Sequence, residues 1–200
     1  MKKATFTSRL VAYIIDFIIV SLIANIIIQG FTTKKIENLN NELESTITEY
    51  TKGELQVNEY IKKTNNLTYK IEKESMPINI VYIVIYIGYF IIFQFLNKGQ
   101  TVGKKLMKIK VLNKDEKNVS LTGIIIRALF INQILSNLLL ILIVAFLPKK
   151  AFFSTYYLIV GIQYLFLIIT SIMMLYTKDK LALQDLMSKT IVVKEGKTNE

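Results

Sequence analysis

Residues 8–31 read SRLVAYIIDFIIVSLIANIIIQGF, and this stretch decides the fold. From Leu10 to Phe31 nearly every residue is apolar, and a run of about 20 such residues makes a helix that crosses a bilayer. One carboxylate, Asp16, lies inside the run and one guanidinium, Arg9, stands at its mouth. A charge at that depth costs at least about 2.5–3.5 kcal/mol on insertion scales, so an acid kept there calls for a reason. The two residues are two helical turns apart and project from the same face. The run is longer than the roughly 7–15 apolar residues of a signal peptide, and Gln29-Gly30-Phe31 is no small-x-small cleavage site, so the segment is read as retained.

Outward from this helix, composition sets the class. Hydrophobic residues make up 52% of the 200 and the mean hydropathy is +0.41. The apolar residues fall in four blocks, about 10–31, 78–96, 124–147 and 155–176, separated by lysine-rich connectors. That pattern belongs to a polytopic membrane protein. The fold expected is an all-α integral membrane protein, a four-helix transmembrane bundle in a single membrane domain over 1–200. There is no cysteine, histidine or tryptophan. This removes disulfides and thiol nucleophiles, the commonest zinc and copper ligands, and the commonest general base. The expectation is therefore no enzyme, no cofactor and no resident metal. The net charge of +10 is carried by lysines that flank apolar blocks; lipid headgroups and topology explain them, and nucleic acid is not expected as a partner.

The connectors carry their own signals. Residues 32–77 hold seven lysines and eight glutamates. Ile36, Leu39, Leu43, Ile47 and Tyr50 recur at helical spacing, so an amphipathic helix is expected there. The rest of this insert is ambiguous: Leu67, Tyr69 and Ile71 alternate like a strand, and a second helix fits almost as well. In 97–123, GQTVGKKLMKIKVL predicts a basic amphipathic helix, with Leu106, Met107 and Ile109 toward lipid and Lys104, Lys105 and Lys108 at anionic headgroups, then a short strand. A phosphate loop is excluded: three residues, not four, separate Gly99 from Gly103, and Lys105 replaces the hydroxyl residue. The third block is unusually polar at Asn132, Gln133, Ser136 and Asn137. These four are expected to form one face opposite Asp16, while Arg127 snorkels to headgroups. The tail, 177–200, predicts a short helix bearing Asp185 and a strand at Ile191–Val193 that pairs with Lys110–Leu112.

Lysine and arginine lie densest in the N-terminal lead, in 97–123 and in the tail. The positive-inside rule then puts both termini in the cytoplasm and 32–77 outside, in the cell membrane. Lys149 and Lys150 fall outside in this scheme, and a re-entrant third or fourth block would remove that exception.

SRLVAYIID at 8–16, NKGQTVGKKLMKIKVL at 97–112 and ALQDLMSKTIVV at 182–193 resemble the three signature stretches of the RDD family, mostly bacterial membrane proteins named for an arginine and two aspartates. The resemblance implies that Arg9 is the arginine, Asp16 the first aspartate and Asp185 the second. It departs at Gln184, where members often have histidine. It also implies transport of a small ion or solute, with cation–proton exchange one form. On physical grounds Asp185 is the natural acceptor for Arg9. Asp16 is left as a deeper acid able to alternate between a proton and a transient monovalent cation. Two functions stay open: a small transporter coupled through Asp16, Arg9 and Asp185, or an accessory subunit in which the same residues fix helix packing. A homo-oligomer is compatible with either, and residues 32–77 offer a surface to an envelope partner.

Overall fold

The computed structural model describes residues 1–177 and 180–195; Lys178, Asp179 and residues 196–200, part of the lysine-bearing tail used to orient the chain, lie outside the described residues. Three helices are long and apolar enough to cross a membrane, and a bent pair makes a fourth if it is counted as one span. Helix α1 (Phe6–Ile28) starts at Thr5, whose hydroxyl accepts from Ser8 N. The second span, Met76–Leu96, comprises α4 (Met76–Ile87), a π-helical stretch (Gly88–Phe93) and α5 (Gln94–Leu96). The bent pair is α7 (Leu121–Ile131) with α8 (Ile134–Phe146), and α9 (Lys149–Tyr176) is the longest span. Their outer faces, such as Ile162, Leu165 and Ile169 of α9, are exposed leucines and isoleucines, the surface that acyl chains cover.

The third block departs from a straight helix: α7 and α8 meet at 62°. Asn132 ends α7, and Gln133 takes a left-handed backbone at φ 58°, the conformation that closes helices at their C-termini. Broken backbone at membrane depth needs partners within the protein. Gln163 of α9 supplies them, donating to Phe130 O at 3.2 Å and accepting from Ser136 Oγ at 2.6 Å.

Residues 34–74 form a helical hairpin, α2 (Lys34–Thr51) and α3 (Val57–Glu74), with Tyr50 stacked on Tyr60 at 4.2 Å near its tip. The ambiguous half of the insert is thus helical. Tyr60, Thr64, Leu67 and Ile71 turn inward at helical spacing, and this pattern outweighs the local alternation at 67–71. The start of α9 lies against the hairpin, where Lys149 Nζ donates to Asn66 Oδ1 at 2.5 Å.

At the opposite end of the bundle a surface layer forms from chain segments far apart in sequence. It contains α6 (Val102–Leu106), β1 (Ile109–Asn113), α10 (Leu183–Met187) and β2 (Thr190–Lys194). The expected strands pair antiparallel, with Val111 opposite Val192. The N-terminal lead joins them: Ala4 N donates to Val192 O and Lys194 N to Lys2 O. Sheet and bundle share one core, in which Ala12, Phe90, Ile109, Val111, Ile124 and Val192 are buried together. Ile109 therefore turns into the protein and not to lipid, and Met107 packs against the same core; Leu106 alone of the three is exposed. The reason is length: α6 is one turn and a half, too short to lay a lipid-facing stripe before the chain enters the sheet.

Candidate functional site

Two buried carboxylates fasten the surface layer to the spans. Asp16 is 1% exposed. Its Oδ1 accepts from Tyr89 OH and from Gly103 N, both at 2.7 Å, and its Oδ2 from Thr101 Oγ1 at 2.5 Å. Thr101 and Gly103 sit at the first turn of α6, which is built around the acid. Thr101 caps the helix by accepting from Lys104 N, and Tyr89 OH accepts from Val102 N at 3.2 Å, so the free amides that every helix start presents are satisfied here. Gly103 is required by contact: a Cβ there would stand 2.2 Å from Ala12 O and 2.9 Å from the Asp16 carboxyl. Gly99, at φ 93°, makes the turn that starts α6, and a Cβ there would meet Val111 O at 2.3 Å. Tyr89 reaches the acid from the π-helical stretch, whose extra residue per turn re-aims side chains and is frequent at functional sites.

Asp185, fully buried, sits in the first turn of α10. Arg9 Nη1 donates to its Oδ2 at 2.6 Å, Arg127 Nη1 donates to its Oδ1, and Ala182 N donates to Oδ2 at 3.0 Å. Arg127 also donates to Thr190 Oγ1 at 2.7 Å, and Arg9 Nη2 reaches Val192 O at 3.5 Å. Burial alone would push the Asp185 carboxyl up. The Arg127 and Arg9 guanidiniums, with the Ala182 N–H, outweigh it and hold the group below the usual carboxylate range. Beside it Gln184 Oε1 accepts from Thr170 Oγ1 of α9 at 3.1 Å.

Arg9 thus meets Asp185, the contact expected from sequence. Arg127 departs from expectation: it does not snorkel to the headgroups but turns inward, because a buried carboxylate and the Thr190 hydroxyl offer it fixed partners. The polar quartet departs as well. The bend at Asn132–Gln133 destroys the common helical register, so the four do not form one face. Asn132 lines a cavity with Asp16, Ser136 is bonded to Gln163, and Asn137 lines a separate cavity with Glu72 and Asn79. Sequence reasoning missed Tyr89, Thr101, Gly103 and Arg127. The paired glycines Gly99 and Gly103 were the available signal, since one glycine before a short basic helix and one inside it mark a tight turn and a close backbone approach.

The cavity holds about 290 Å³ and lies between α1, α9, α7 and the surface layer, with Arg9, Asp16, Lys104, Arg127, Asn132 and Gln184 on its wall. Lys104 lies toward this space while Lys105 and Lys108 are exposed. Burial lowers its ammonium to about 8, with Asp16 pulling partly the other way. Among the described residues no group of three or more acids stands together as a metal site.

The three sequence stretches that resemble one family, 8–16, 97–112 and 182–193, therefore converge in one place. No curated protein and no solved structure matches the chain. Arg9 and Asp16 line one cavity and Asp185 is bonded to Arg9; the sequence model described as the RDD family matches residues 3–189, and the chain belongs to the RDD family.

Proposed function

We propose that this protein is a non-catalytic membrane assembly or accessory subunit in which Arg9, Asp16 and Asp185 fix the packing of a surface layer on a four-span bundle. One observation carries the reading: every carboxylate oxygen of Asp16 and Asp185 accepts from a donor of the protein itself. A carboxylate that carries a cation across a membrane needs an open side and a way to exchange partners, and one whose oxygens are all taken by donors from other parts of the chain acts as a tether. In this reading the bent α7–α8 pair counts as a span, since it runs from the sheet end to the hairpin end. Both termini and the sheet face the cytoplasm of a plasma membrane, with Lys105 and Lys108 near anionic headgroups. The hairpin 34–74 projects outside, toward an envelope partner or a second copy of the chain.

A second reading, transport of a small ion or solute, is favoured by the cavity beside Asp16 and the helix break at Asn132, since broken helices line binding sites in many transporters. Sodium and potassium flux against a pH gradient, measured with purified protein in liposomes, separates the two. The tether reading expects no flux above empty vesicles. Proton-coupled cation flux that disappears in a folded Asp16→Asn protein would overturn it. The cysteine-free chain makes orientation directly testable: Glu54→Cys is expected to react with an impermeant maleimide on intact cells, and Asp115→Cys only after permeabilisation.

A further inference from the structure

The cavity mixes two chemistries. Leu10 and Tyr13 of α1, Phe90, Ile131, and Leu167 and Met174 of α9 supply apolar lining, and Arg9, Lys104 and Arg127 supply three cations to the same space. Among the described residues, Asp16 on the wall and Asp185 behind it stand against these three cations, so this set keeps one positive charge. Asp185 takes both arginines and Asp16 takes neutral donors. Lys104 therefore has no carboxylate of its own among the described residues, although it is partly buried. A second group points the same way. The Arg9 side chain is only 9% exposed, and its Nε is a buried donor with no acceptor in the described chain, a rare condition in folded proteins. Finally, the apolar lining reaches the lipid: Leu10, which lines the cavity, is 42% exposed on the outer face of α1.

We propose that this cavity binds one monoanionic lipid from the adjacent leaflet, its head group between Lys104 and Arg9 and its acyl chain leaving past Leu10 between α1 and α9. At about 30 Å³ per water the space equals roughly ten waters, enough for a phosphate-sized head and the first carbons but not for whole chains, which stay in the bilayer. The anion supplies the charge the lining lacks and an acceptor for Arg9 Nε; the acyl chain covers the apolar lining. A small soluble anion would leave those apolar residues uncovered, and a neutral lipid would leave Lys104 without a counter-charge. The proposal does not rest on the tether reading, because a bound lipid serves a tether or a transporter equally and its detection involves no flux.

The test is native mass spectrometry of the full chain released from nanodiscs of equal phosphatidylglycerol and phosphatidylcholine. One phosphatidylglycerol per chain is expected to survive release, at least tenfold over phosphatidylcholine. Lys104→Gln and, separately, Leu10→Trp are each expected to lower its retention tenfold or more. Lys62→Gln, at an exposed position on the helical hairpin, should leave retention unchanged, and Lys104→Arg should restore most of it, which controls for misfolding in the glutamine variant. Equal retention of phosphatidylcholine, or retention indifferent to both Lys104→Gln and Leu10→Trp, would overturn the proposal. Displacement of the lipid by millimolar glycerol phosphate alone would also overturn it, in favour of a soluble anion.

Discussion

Asp16 and Asp185 are both buried, both saturated, and both hold a piece of the surface layer against α1, yet they do so with opposite chemistry. Asp16 is bonded by two hydroxyls and a backbone amide, none of which carries a formal charge. Asp185 is bonded by two guanidiniums. The difference teaches what each anchor reads. Asp16 reads shape: it binds α6 only because Gly103 lets two backbones touch. Asp185 reads charge: it partners two arginines that would otherwise be stranded from water.

The comparison can be broken at its strongest point first. Asp185→Asn keeps the size of the side chain but leaves Arg9 and Arg127 buried without a counter-charge. Removing one partner of a buried pair costs on the order of 3–5 kcal/mol, so the largest drop in thermal stability is expected here. Proteolysis of the tail after Lys180 should rise in the same protein.

Gly103→Ala attacks the other anchor through sterics alone. Its Cβ would collide with Ala12 O, a backbone atom that cannot swing aside, and overpacking of this kind costs about 1–3 kcal/mol. Hydrogen exchange is expected to speed up at 99–106 and to stay slow at 190–194; equal loosening of both would mean that the two anchors are one unit.

Asp16→Asn sharpens the distinction further. It leaves no guanidinium bare, and its loss is confined to charge-assisted hydrogen bonds, roughly 1.5–3 kcal/mol by mutational precedent. It should be less damaging than Asp185→Asn, and a reversed order would show that Asp16 carries more than packing.

The smallest effects expected are those of pH, and they fall in two separate windows. The folded-state pKa of Asp185 lies below its ordinary value. Its contribution is therefore complete above the usual carboxylate range, about 3.9 for aspartate, and fades as pH falls through the lower folded value. Lys104 has the same sign in a higher window. Its folded value, about 8, lies below the ordinary 10.5, so between these pH values the unfolded chain binds more protons and stability rises with pH. A melting-temperature profile should be level at neutral pH, fall in acid, and climb modestly above pH 8, with the alkaline climb absent in Lys104→Met.

Much of this was legible in the chain. Apolar length fixed three spans, because backbone in hydrocarbon must satisfy its own hydrogen bonds and a helix does so within one segment. Periodicity placed α2, and β-branched residues placed the paired strands. The Arg9–Asp185 contact followed from charge and from the sharing of one end. The bend in the third block, the inward turn of Arg127 and the four separate fates of Asn132, Gln133, Ser136 and Asn137 were not legible. Each depends on what stands opposite. Gln163 is thirty residues from the break it mends, and Asp185 is 58 residues from the arginine it recruits.

The sequence by itself therefore determined which segments are apolar enough to enter the membrane and that Asp16 lies within the first of them, since transfer into lipid is a property of each segment taken alone. Only the tertiary structure decided which donor meets which carboxylate. Tyr89, Thr101 and Gly103 acquire their role from a close approach of α6 to α1, and such an approach is set by the packing of whole elements, which no local stretch encodes.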